Sequence, residues 1–109
     1  MKLNIYEKRE IVKTYNAECY DLMTCTVEDI LNVLQIDKLT GDSDMDLIRY
    51  VGTMLPTCWS VIKPLILDIF EGLTEEEMRN TRMKEVAIVI VEVVKYAFWD
   101  ISRGITEKN

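Results

Sequence analysis

The 109-residue chain contains no histidine. It therefore lacks the side chain that most often serves as general base near neutral pH and most often ligates a metal. Serine–histidine and cysteine–histidine nucleophile pairs are excluded with it. Glycine is scarce, at four, and none sits in G-x-G-x-x-G or P-loop spacing, so nucleotide binding by those routes is excluded. The three cysteines, Cys19, Cys25 and Cys58, are odd in number and form no C-x-x-C pair. Free thiols are expected, since the spacing suits neither a zinc site nor a disulfide framework. Long apolar runs are also missing. The longest, Val86 to Val94, is interrupted by Glu92, far short of the roughly 20 residues that cross a bilayer. The start turns polar by Glu7-Lys8, too early for a secretory signal. No membrane partner and a cytosolic location are the expectations. Basic residues are few, 13 Lys and Arg against 19 Asp and Glu, for a net charge of -6. They occur singly or in short mixed runs such as Lys8-Arg9. An acidic chain without a basic stripe repels phosphates, so nucleic acid is not an expected partner.

What is present is apolar residues in quantity, 49% of the chain, enough for one folded domain of modest core. Leu3 and Ile5 alternate with Lys2, Asn4 and Tyr6, and Ile11–Tyr15 is rich in strand formers, which predicts a β hairpin over residues 1–16 joined by Glu7-Lys8-Arg9-Glu10. That joint lacks the Asn-Gly or Asp-Gly of a tight turn. A helix through Ile11, Tyr15, Cys19 and Leu22 is the rival reading. From Thr26 a helix is predicted to about Ile36, with Thr26-Val27-Glu28-Asp29 as an approximate capping box and Val27, Ile30, Leu31 and Leu34 as its apolar stripe. Lys38–Ser43 reads as a loop. A second helix is expected over 44–55, ending at Pro56 because the residue before proline avoids helical torsions. A third follows over 57–71, kinked or restarted at Pro64 and capped by Gly72. Gly52 either weakens its helix or marks a close contact. Thr74-Glu75-Glu76-Glu77 is a capping box, with Leu73 and Met78 positioned as a hydrophobic staple. The last helix is expected over 75–101 with a pause near Asn80-Thr81. Between Glu85 and Ile101 its apolar residues leave a narrow stripe of Glu85, Glu92 and Lys95, and Asp100 is the other charged residue. The expectation is a mainly α fold, one small helical domain over 1–103 with the N-terminal hairpin, and a frayed tail over 104–109.

Carboxylates are plentiful but not arranged for chemistry. Asp42, Asp44 and Asp46 alternate as in a calcium loop, yet the sixth and twelfth positions counted from Asp42 hold Leu47 and Thr53 where that loop requires Gly and Glu. Glu75, Glu76 and Glu77 suit the first turn of a helix, where they oppose the dipole. No catalytic residue, metal or cofactor is expected, and the chain reads as a binding protein. Trp59, Trp99, Phe70, Phe98 and the methionines Met45, Met54, Met78 and Met83 exceed what one small core readily holds. Met54, Trp59, Phe98 and Trp99 are therefore the candidate protein-binding residues, since aromatic and methionine side chains are favoured at interface centres. A last helix apolar on most sides also predicts self-association into a homo-oligomer.

Beyond these readings, several stretches resemble the tail assembly chaperones of long-tailed phages and prophages of Gram-positive bacteria. The residues are Met1-Lys2-Leu3-Asn4-Ile5-Tyr6, Ile11-Val12-Lys13-Thr14-Tyr15, Tyr20-Asp21-Leu22-Met23, Thr26-Val27-Glu28-Asp29-Ile30, Lys63 through Thr74, Lys84-Glu85-Val86 and Val94-Lys95-Tyr96. The likeness extends over most of residues 1–100. It departs at Cys25, where the family commonly carries glycine. The resemblance implies a protein that binds the tape measure protein, the long helical ruler of the tail, and keeps it soluble until tube subunits polymerise around it. It implies residence in the host cytoplasm and absence from the mature virion. A structural tail or connector component retained in the particle is the alternative.

Overall fold

Alternating apolar and polar residues at the start of the chain form strand β1 (Lys2–Glu7), which pairs antiparallel with β2 (Glu10–Asn16). This is the expected hairpin, and the rival helix through Ile11 to Leu22 is not formed. The structure is a computed structural model that describes residues 1–35 and 44–107, with side chains described for 1–35 and 45–98. Lys8 and Arg9 make the turn with φ of 51° and 76°, the left-handed pair that a two-residue hairpin turn demands. Leu3 and Ile5 face the core. Ile5 pairs with Lys13 and Tyr6 with Ile11, so Val12 is the extra residue of a bulge.

Helix α1 (Thr24–Val33) begins two residues before the expected start. Met23 is its N-cap, and the Met23 carbonyl accepts from the amides of Thr26 and Val27. Thr26 is buried in the first turn, so its side chain packs inward, and Glu28 and Asp29 fall beyond that turn. The capping box expected at Thr26 is thus not formed. The expected end near Ile36 and the loop Lys38–Ser43, with Asp42, lie outside the described residues.

The two helices expected on either side of Pro56 meet at a kink within the span α2 (Asp44–Ile69), which contains both Pro56 and Pro64. The break is reduced to a kink at Cys58, where φ is -112° and ψ 20°. Proline removes one amide and presses on the carbonyl four residues back, and here that carbonyl belongs to Gly52. Packing of Val51, Leu55, Ile62, Ile66 and Phe70, all fully buried, holds both halves against the same core. The Cys58 thiol donates to the Met54 carbonyl at 3.1 Å across the kink. Gly52 meets no neighbour within 4 Å of a built Cβ, so it marks no close contact. Gly72, at φ 89°, makes the left-handed turn after α2.

Short α3 (Glu75–Met78) carries the expected capping box. The Glu77 amide donates to the Thr74 hydroxyl at 3.1 Å, and the Thr74 amide donates to the Glu77 carboxylate at 3.1 Å. Leu73 and Met78 are both buried, as a staple requires. The expected pause at Asn80-Thr81 is a turn that separates α3 from α4 (Met83–Glu107). The backbone of α4 runs through Gly104 to Glu107, past the point where a frayed tail was expected. Nothing there breaks a helix outright, since a single interior glycine costs only about 1 kcal/mol. Asn109 and Lys108 lie outside the described residues.

Val86, Val89, Ile90, Val93 and Val94 are buried against α1, α2 and β1, and Ala87, Val91 and Ala97 are buried beside them. The solvent line of α4 is Lys84, Ile88, Glu92 and Lys95. Glu85, expected on that line, is turned toward the hairpin instead.

Candidate functional site

A polar seam first fixes the hairpin on the helices. The Glu85 carboxylate accepts from Asn4 Nδ2 at 2.8 Å and from the Tyr6 hydroxyl, and Thr14 Oγ1 donates to Asn4 Oδ1 at 2.8 Å. The Arg82 guanidinium lies over the Tyr6 ring at 4.1 Å. Further along, the Tyr15 hydroxyl meets Glu77 Oε1 at 2.6 Å and the Gly72 carbonyl at 3.2 Å, and Lys13 Nζ stands 3.3 Å from Glu77 Oε2. The hydrogen bond from Tyr15, the Thr74 amide and the Lys13 ammonium together hold the Glu77 carboxyl down at about 2. Hydrogen bonding to Glu85 pushes the Tyr6 phenol up. These groups answer one another, and the seam is a clasp: its donors and acceptors join β1 and β2 to α3 and α4.

The residues singled out as protein-binding are dispersed. Met54, Trp59 and Phe98 are half-buried and pack against the common core. Met54 and Trp59 stand on either side of the kink at Cys58 in α2. Phe98 lies on α4. The Trp99 side chain lies outside the described residues. Phe70 and Met78 are core, while Met45 and Met83 are exposed.

A more coherent surface lies where the segment 17–26 meets the end of α2. Ala17 packs beside β1: its amide donates to the Met1 carbonyl at 2.9 Å, and the Met1 ammonium donates to its carbonyl at 2.7 Å. A 3-10 turn (Cys19–Asp21) then carries the chain into α1. Between this segment and the α2 terminus runs a groove of about 450 Å³. Its deeper lining is Ala17, Leu22, Thr26 and Ile69, all buried or half-buried. Its rim carries four exposed carboxylates, Glu18, Asp21, Asp68 and Glu71, and no lysine or arginine lines it. Met23, 70% exposed, also lines the groove, and Tyr20, 71% exposed, stands on the turn between it and a hollow formed with Glu92, Lys95 and Tyr96. These are the two most exposed large apolar side chains among the described residues.

No family model, curated protein or solved structure matches this chain. Its chemistry must be read from the groove. Among the described residues no group of His, Cys, Asp and Glu is placed to hold a metal, and the rim carboxylates are spread around an opening with a mostly apolar floor. Burial pushes the Cys19 thiol up. No helix among the described residues is long and apolar enough to cross a membrane. The sequence reading missed Tyr20, Met23 and the carboxylates around them. Its available signal was two large apolar residues in the 17–23 stretch, between a strand pattern and a helix pattern and belonging to neither.

Proposed function

We propose that this chain is a protein-binding module acting as a phage tail assembly chaperone, which covers apolar stripes of the tape measure protein until the tail tube assembles. The reading draws on the resemblance across residues 1–100 and on one physical observation. Over Met83–Phe98 the domain covers most of the apolar surface of α4 but leaves Tyr20 and Met23 in solvent beside an acid-rimmed groove. Exposed tyrosine and methionine suit interface centres, and methionine adapts to irregular partners. A surplus of negative charge, -6, keeps a complex soluble. Many such contacts along a long ruler would give avidity while each single contact stays weak enough to release.

Self-association was expected because α4 looked too apolar for one chain to cover. Over Met83–Phe98 that ground is weakened: α1, α2 and β1 cover most of it, and Met83, at 44%, and Ile88, at 37% exposure, are the large apolar side chains left exposed. The apolar surface that supports binding is therefore on the 3-10 turn and the start of α1.

The test is affinity capture with a tagged chain during tail assembly, followed by mass spectrometry of the captured proteins and of purified particles. The chaperone reading expects the tape measure protein in the capture and no stoichiometric amount of this chain in particles. A stoichiometric amount in particles would instead support a retained tail or connector component.

A further inference from the structure

From the groove between residues 17–26 and the end of α2, we infer a docking site for a basic amphipathic helix of a partner protein. This rests on the reading of the chain as a protein-binding module but not on which protein it binds. The deeper lining is mostly apolar, Ala17, Leu22 and Ile69 beside the buried Thr26, and the rim carries Glu18 and Asp21 from one segment and Asp68 and Glu71 from the other. At about 450 Å³ the groove takes one or two apolar side chains, not a whole helix. A helix laid across it would seat a leucine or methionine in the floor and place lysine or arginine, three or four residues away, on the rim. Met23 and Tyr20 would flank that helix.

The charge arrangement selects the sign of the partner. Asp68 lies in the last turn of α2, and that turn holds no basic residue. The carbonyl end of a helix is the negative end of its dipole, where an acid is unfavourable and a cation favourable. Glu71 follows within two residues of the helix end. The chain thus gathers two carboxylates and a helix C-terminus on one rim and supplies no cation of its own to the lining. A cationic partner relieves this repulsion on binding, and an acidic one adds to it. An acidic apolar helix, or a second copy of this acidic chain, is disfavoured for the same reason.

The experiment titrates the full-length, ¹⁵N-labelled chain with a synthetic leucine–lysine amphipathic peptide of about 16 residues, long enough to hold helical structure. A leucine–glutamate peptide of the same pattern is the comparison. The inference expects amide shifts concentrated in 17–26 and 68–71 with the lysine peptide and none with the glutamate peptide. It expects affinity to fall about five-fold in the double variant Asp68→Asn/Glu71→Gln and to fall with added salt, as two partly exposed charge contacts would give. The variant Glu7→Gln/Glu10→Gln, on exposed hairpin positions, should bind like the parent. Equal binding of both peptides, shifts centred elsewhere, unchanged affinity in the groove variant, or shifts of the same amides with the chain's own concentration alone would each overturn it. Failure here separates from failure of the chaperone reading. A parent chain and a groove variant that solubilise the tape measure protein equally well remove the groove and leave the function. A parent chain that binds the lysine peptide in the groove yet leaves the tape measure protein insoluble removes the function and leaves the groove.

Discussion

The Tyr15 hydroxyl and the Glu77 carboxylate meet at 2.6 Å across 62 residues of sequence, tying the second strand of the hairpin to the capping box of α3. Glu77 serves both: it completes the box with Thr74 and receives Tyr15 and Lys13. The N-terminal hairpin is thereby bolted to the segment that orients α4.

This contact predicts a specific acid sensitivity. The Glu77 carboxyl lies at about 2 in the folded chain, against 4.5 ordinarily. The folded state therefore favours the carboxylate, and the resulting stabilisation is complete above about 4.5 and lost as pH falls toward 2. Denaturant melts at pH values from roughly 6 to 2, the range in which carboxylates titrate, should show stability dropping across that window. In Glu77→Gln the drop should be smaller, with lower stability at neutral pH. An unchanged pH slope in the variant would show that the clasp carries no linkage.

The hairpin turn predicts a stabilising substitution. Lys8 and Arg9 both occupy left-handed torsions, φ 51° and 76°, which cost roughly 1 kcal/mol or more for side-chain-bearing residues. Lys8→Asn/Arg9→Gly supplies the pair such turns prefer and should raise stability by about 1 kcal/mol. Chemical denaturation reads this directly.

Two glycines should respond in opposite directions. Gly52 is helical with open space around a built Cβ, so Gly52→Ala should stabilise by about 0.5–1 kcal/mol. Gly72 is held at φ 89° with its carbonyl bonded to Tyr15, so Gly72→Ala should destabilise by about 1 kcal/mol. Thermal melts of the two variants should move apart in sign.

What the sequence made legible was local. The hairpin followed from alternation at Leu3 and Ile5, and the box at Thr74 from residues three apart, because both depend on near neighbours alone. The Thr26 box failed because tertiary packing overrode local preference and Thr26 turned inward, whereas the break expected at Pro56 falls two residues on, at Cys58, where two helical halves meet at a kink. Glu85 read as a solvent residue by helical spacing, yet Asn4 and Tyr6, about eighty positions earlier, turn toward it. The groove was invisible for the same reason. Its two rims, 17–26 and 68–71, are separated by α1 and most of α2, and no periodicity within either rim announces the other. Met54, Trp59 and Phe98 are large and apolar, which suits core and interface alike, and they lie half-buried against the core.

The most direct measurement of the proposed role is co-expression of this chain with a phage tape measure protein, followed by size exclusion with light scattering. The account predicts that the ruler, insoluble alone, moves to the soluble fraction and elutes with several copies of this chain bound. A ruler that stays insoluble while this chain elutes by itself would contradict it.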